Sequence, residues 1–129
     1  MEKMLEKTME KITDSELEVL KILWAADSAL SLSVIRSSLQ KATEWEAATI
    51  KTLLARLVSK NAVLQEKKEV FYYSALVSEE EYNTWATERL INRLYKGRAS
   101  NLVAALLNTD GISKDDIAEL RQMFSEENR

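Results

Sequence analysis

The sequence predicts a mainly α-helical fold carrying one small β-hairpin. Three observations point to it. Among 129 residues, glycine occurs twice and proline never, so few positions interrupt a helix. Apolar residues make up 46% of the chain, enough for a real core, and many recur at helical spacing. Between Ala62 and Leu76 alone the pattern changes, to two short β-prone runs around a charged centre. The length suits one domain, or one domain with an oligomerisation appendage.

Residues 1–11, "MEKMLEKTMEK", alternate acids and lysines with Met1, Met4, Leu5 and Met9. They read either as a helical extension or as a loosely held tail, and no function is assigned to them. "ITDSELEVLKILW" is a strong helix start. Thr13 and Glu16 fit a capping box, and Ile12 and Leu17 stand where a hydrophobic staple closes. Leu17, Leu20, Leu23 and Trp24 supply its apolar stripe, and "AADSA" ends it. A second helix starts at Ser31, with Leu30 and Ile35 as staple and Val34, Ile35 and Leu39 turned inward. After the break "QKATE", a third helix runs from about Glu46 to Lys60. The hairpin follows, with Val63 and Gln65 alternating on one strand and Val70 and Tyr72 on the other. Lys67 and Lys68 stand at its tip, and the turn type is left open.

The second half begins with another capping box, Ser78 and Glu81, stapled by Val77 and Tyr82. Gly97 is the natural stop of this long helix. "SNLVAALLN" predicts a short, very apolar helix ending near Asn108 to Gly111. Ser113 then caps a last helix, with Asp116 at the third helical position and Ile112 stapled to Ile117. Ile117, Leu120, Met123 and Phe124 share its apolar side.

Several kinds of chemistry are excluded. The chain holds no cysteine and no histidine, which removes disulfides, zinc sites, thiol nucleophiles and histidine acid–base catalysis. Serine and lysine remain, but no spacing pairs them. No enzyme activity, cofactor or metal is expected. There is no long apolar run for a membrane span and no apolar core of a signal peptide, so a cytoplasmic location without a membrane partner is the expectation.

The net charge of -3 hides an uneven distribution. Residues 78–129 hold seven basic and ten acidic side chains, whereas residues 1–77 hold eleven of each. Within the first half, Trp45 to Lys68 carries five bases against Glu46 and Glu66. Local charge, not the sum, governs attraction to a polyanion.

Three short helices followed by a hairpin is the layout of a winged helix, in which the third helix enters the major groove of DNA. At 100° per residue, Ile50, Leu53, Leu54, Leu57 and Val58 gather on one side of that helix. Ala48, Thr52, Ala55, Arg56 and Ser59 gather on the other, with Thr49 and Lys60 at one edge and Lys51 at the opposite edge. The first face anchors. The second is slim enough to approach bases and carries donors for them. Ala48, Thr49, Lys51, Thr52, Arg56 and Lys60 are therefore the expected DNA contacts, joined by Lys67 and Lys68 from the wing. An isolated helix of this kind would read as an ordinary solvated face. Its place before a basic hairpin favours DNA. Glu46 opposes phosphate at the helix start, Trp45 reads as a packing residue, and one of Tyr72 and Tyr73 is expected to pack inward.

The domain expectation is an extension at 1–11, a DNA-binding winged helix at 12–77 and a helical dimerisation region at 78–129. The apolar surface of the last part is broad for its size. Tyr82, Trp85, Leu90, Ile91, Leu94, Leu102, Val103, Leu106, Ile117, Leu120 and Phe124 are the expected dimer residues. Two-fold symmetry suits a palindromic operator in double-stranded DNA. The alternative is a helical protein-interaction module that uses the same surface for a different protein.

The stretches "ITDSELEVLKILW", "W-x3-TIKTLLARLVSK", "FYYSALVSEEEY", "LYKG" and "DDIAELR" resemble the BlaI/MecI/CopY repressors of penicillinase, methicillin-resistance and copper-export genes. The resemblance runs from about Ile12 to Phe124. It implies a bacterial winged-helix repressor that binds a short inverted repeat as a homodimer, with Thr49, Lys51, Thr52 and Arg56 at DNA-contacting positions. Ala48 stands where relatives often carry lysine or serine. The resemblance does not reach the family's switches. Copper-responsive members end in a cysteine-rich hook, and this chain has no cysteine. β-Lactam-responsive members are cleaved at an Asn-Phe pair, where this chain has Ala105 and Leu106. An unidentified inducer or sensor protein is left as a further partner.

Overall fold

The computed structural model describes residues 2–127. They fall into two compact units that divide between Trp85 and Ala86, inside one continuous helix.

The N-terminal unit has the winged-helix layout, in the order α1 (Glu2–Glu10), α2 (Asp14–Trp24), β1 (Leu30–Ser31), α3 (Leu32–Ala42), α4 (Ala47–Ser59), β2 (Val63–Lys67) and β3 (Phe71–Ala75). The first turns of α5 (Glu79–Leu94) complete it. The capping box of α2 forms in both directions: Thr13 Oγ1 accepts from the Glu16 amide, and Glu16 Oε1 accepts from the Thr13 amide at 2.9 Å. Ser31 caps α3 through the Val34 amide. The core joins Leu20, Ile35, Leu39, Ile50, Leu54 and Leu57 to Val63, Tyr73 and Val77, so α2, α3, α4 and the sheet share one interior.

Of the two readings of the N-terminal stretch, the helical one forms, as α1, whose Met9 is buried and whose Leu5 packs on the core. Other expectations are corrected. On α2 the buried residues are Glu16, Val19, Leu20 and Leu23, while Leu17 is half-buried. Val34 is 47% exposed instead of inward, because the inner face of α3 is centred on Ile35 and Leu39. The hairpin gains a third strand: Leu30 pairs with Tyr73 and Ser31 with Tyr72, giving the antiparallel order β1-β3-β2. The inward phase of β3 falls on Tyr73, whose hydroxyl accepts from Gln65 Nε2 at 3.0 Å, and Val70 lies outside the strand and exposed.

The C-terminal unit holds the rest of α5, then α6 (Ala99–Leu107) and α7 (Lys114–Glu127). α5 ends before Lys96 and Gly97, which both take positive φ, and the Gly97 amide donates to the Ile91 carbonyl. At the start of α7 the Ser113 hydroxyl accepts from the Asp116 amide, and Asp116 returns a bond to the Ser113 amide. No described residue of this unit is buried. Leu94, Leu107, Met123 and Phe124 are each more than half exposed.

Candidate nucleic-acid interface

α4 is amphipathic in the strict sense. Ile50, Leu53, Leu54 and Leu57 are buried, and Val58 is half-buried. Ala48, Thr49, Lys51, Thr52, Ala55, Arg56 and Ser59 are all exposed. The contrast follows from the 3.6-residue period, which places the four leucine and isoleucine side chains on one stripe. Burying each stabilises the helix's seat by roughly 1.5–3 kcal/mol, so the outer face stays turned away from the core. Neither Lys51 nor Arg56 has an ion-pair partner among the described residues, and both cations are free to meet an external anion. The Thr52 hydroxyl donates to the Ala48 carbonyl at 2.9 Å, which leaves its oxygen available as an acceptor.

Both ends of α4 are fixed locally. Ahead of it, the Trp45 amide donates to Thr43 Oγ1 and its carbonyl accepts from Gln40 Nε2, while the indole packs on the core as expected. At the C-terminal end the Asn61 amide donates to Val58 and the Ala62 amide to Leu57. This pair of bonds is a Schellman motif, and Asn61 takes the left-handed residue it requires at φ 62°. The Leu76 amide then donates to the Ala62 carbonyl, tying the exit of the wing to the end of α4.

Lys67 and Lys68 lie at the wing tip and are exposed. Lys67 Nζ sits 5.7 Å from the centroid of the Phe71 ring and Lys68 Nζ 5.8 Å from that of Tyr72. These cation–π contacts restrain two long side chains at modest cost, because the charge remains wet.

Lys60, expected at the edge of this face, turns inward. Its ammonium meets both carboxylate oxygens of Glu16, at 2.6 and 2.8 Å, and the Lys11 carbonyl at 2.8 Å. An ammonium has three protons, and all three are used. Its position at the edge of the helical projection lets it reach inward, where a buried carboxylate holds it. Burial pushes the Glu16 carboxyl up, but the bonds from Lys60 and Thr13 outweigh it and hold the group below the usual carboxylate range.

Sequence reasoning missed Arg36. It is exposed on α3 and lines a groove of about 610 Å³ together with Ser33, Lys67, Phe71 and Tyr72. β1 creates this groove by bringing the start of α3 against β3. The exposed run Ser33, Arg36, Ser37, Gln40 and Lys41 on α3 was the available signal.

Two of the expected dimer residues, Tyr82 and Trp85, lie in the N-terminal unit. Trp24 Nε1 donates to the Val77 carbonyl at 2.8 Å, and the rings of Trp24, Tyr82 and Trp85 follow one another at 5.8 and 5.7 Å. Tyr82 and Trp85 pack on the core of the N-terminal unit, and burial, followed by the Asp14 carboxylate, pushes the Tyr82 phenol up. Their apolar surface is used within their own unit. The other expected dimer residues lie in the C-terminal unit. Leu90, Leu94, Leu106 and Phe124 are exposed, and Ile91, Leu102, Val103, Ile117 and Leu120 are half-buried.

The family model described as penicillinase repressor matches residues 12–126. The chain belongs to the penicillinase repressor family. It is 35% identical to the penicillinase repressor of Bacillus licheniformis, over 93% of this chain and 94% of that one. It is 32% identical to the methicillin resistance regulatory protein MecI of Mammaliicoccus sciuri, over 92% and 96%. Among solved structures, the DNA-binding domain of the repressor BlaI superposes with a TM-score of 0.52 at 35% identity, covering 57% of this chain and 90% of that domain. The monomeric form of Bacillus licheniformis BlaI, in complex with the blaP half-operator, gives 0.50 at 36% identity over 56% and 88%. A MarR mutant of E. coli at 15% identity shares the fold over 98% of this chain, with a TM-score of 0.50.

The penicillinase repressor family consists of DNA-binding winged-helix repressors and not of enzymes. Among the described residues, no group of acidic side chains could hold a metal ion, and no helix is long and apolar enough to cross a membrane.

Proposed function

We propose that the protein represses transcription from the cytoplasm by binding an inverted-repeat operator as a homodimer. In this reading α4 lies in the major groove, and Thr49, Lys51, Thr52 and Arg56 meet bases and phosphates, with Ala48 giving close approach. Lys67 and Lys68 follow the backbone from the wing, and Arg36 adds a phosphate contact beside them. The observation that carries the reading is the two-sidedness of α4: a buried apolar stripe opposite a slim face with two cations that have no ion-pair partner among the described residues.

The dimer is proposed through the C-terminal unit, residues 86–129. Leu94, Leu106 and Phe124 are among its exposed apolar side chains. Surface of this kind, unused by one copy, is what a self-complementary interface buries.

A gel-shift titration of the protein on its own promoter, against random duplex, tests the assignment. The operator complex should be tighter and should weaken steeply with salt, because each neutralised phosphate releases about one counterion. Equal affinity for both duplexes would contradict it. A stable monomer by light scattering would favour the interaction-module alternative over the dimer.

A further inference from the structure

We infer that the Lys60–Glu16 pair is a positioning device for α4, so that operator discrimination depends on it beyond its effect on stability. This rests on the operator-binding reading above. The pair joins three parts of the N-terminal unit at one point, next to the start of the wing. Lys60 is the C-cap of α4. Glu16 is the third residue of α2 and is completely buried. Lys11, whose carbonyl takes the third ammonium bond, closes the turn between α1 and α2. The wing starts at Val63 and returns through the Leu76–Ala62 bond, within three residues of Lys60.

The apolar stripe alone does not fix the angle of α4. Hydrophobic contact is non-directional and tolerates small rotations of a helix on its seat. Three hydrogen bonds on one ammonium, two to the carboxylate and one to the Lys11 carbonyl, restrict where Lys60 Nζ can sit. The Glu16 carboxylate is itself oriented, because its Oε1 also accepts from the Thr13 amide. The ammonium is therefore placed against the N-terminal turn of α2, and α4 is held at its far end. Thr49 stands eleven residues before Lys60. At a rise of 1.5 Å per residue that is about 16 Å along the axis, so a tilt of about 4° moves Thr49 by about 1 Å. Displacements of about that size spoil hydrogen-bond readout.

Electrostatics and positioning make opposite statements about Glu16. Removing a carboxylate from a DNA-binding unit should strengthen attraction to DNA. Loss of a positioning bond should weaken operator binding. Glutamine at this position keeps the capping box, which accepts Glu or Gln alike, and removes the charge. E16Q therefore isolates the ion pair from the cap.

The test uses the full chain as E16Q, K60M and the E16Q/K60M double variant, titrated on operator and on random duplex by fluorescence anisotropy. Each is measured well below its melting temperature, with folding confirmed by circular dichroism. The expected result is that operator affinity falls about tenfold in all three while random-duplex affinity stays within about twofold. The slope of log affinity against log salt should not change in E16Q. In the double variant, stability should recover relative to K60M, because no buried charge is left unpaired, while discrimination should not recover.

Folded E16Q or K60M that discriminates like the wild type overturns the inference and makes the pair purely structural. So does K60M that loses affinity equally for both duplexes with a slope smaller by about one, the mark of a direct phosphate contact. A wild-type protein that itself fails to discriminate overturns the operator-binding reading, and this inference with it.

Discussion

Arg56 is the residue on which the proposed chemistry depends most. It is exposed on the outer face of α4, has no ion-pair partner among the described residues, and is flanked by the small side chains Ala55 and Thr52. If it makes a bidentate contact with a guanine edge, Arg56→Ala should cost about 1–3 kcal/mol of operator affinity and relax preference at one base pair. Competition titration against single-base operator variants measures both effects. Asn61 carries a different prediction. It holds a left-handed conformation at the Schellman position, which suits asparagine less well than glycine. Asn61→Gly should stabilise the N-terminal unit by about 0.5–1 kcal/mol in chemical denaturation, or leave it unchanged if the added freedom of the unfolded chain cancels the gain. A clear loss of stability would contradict the cap assignment. Glu16 ties stability to pH. Its folded-state carboxyl titrates below its unfolded value, so its contribution is present above about pH 4.3 and is lost as pH falls through the lower folded value. Melting temperatures should therefore drop on acidification below about pH 5, and E16Q should flatten that drop while starting from lower stability.

At the scale of elements, the capping signals were the most legible part of the chain. Thr13 with Glu16, Ser78 with Glu81 and Ser113 with Asp116 each form reciprocal bonds in the structure. A cap is a local interaction over three residues, so a single sequence carries all of it. The two faces of α4 were equally readable, because burial there follows helical period alone. What stayed hidden depended on distant partners. β1 is two residues long and exists only because β3 is beside it. Lys60 sat on the projected edge of α4, and nothing within that helix reveals a carboxylate 44 positions earlier in the chain. Tyr82 and Trp85 read as spare apolar surface because the Trp24 ring that meets Tyr82 belongs to another helix. The wing offers its own prediction. Replacing Lys67 and Lys68 with alanine removes two of the proposed phosphate contacts, so affinity should fall alike on operator and random duplex. The salt slope should shrink by about two. A loss confined to the operator would place these lysines on bases instead.

The chain joins a unit with a dense apolar core to one whose described side chains are all at least partly exposed. This contrast argues for a second copy as the cover of the C-terminal unit. Leu94→Glu or Phe124→Glu, at two strongly exposed positions, should shift sedimentation towards monomer. The same variants should bind a full inverted repeat far more weakly while binding an isolated half-site as the wild type does, since each N-terminal unit is untouched. The acidic total of the chain fits this division: the excess lies in residues 78–129, away from α4 and the wing tip in sequence. The proposed reader of DNA sequence is the outer face of α4. The most direct measurement is operator affinity relative to random duplex for the wild type and for R56A, at one fixed salt concentration. The account predicts clear discrimination by the wild type and a loss of about tenfold or more in R56A that falls mainly on the operator. Identical ratios in both proteins would contradict it.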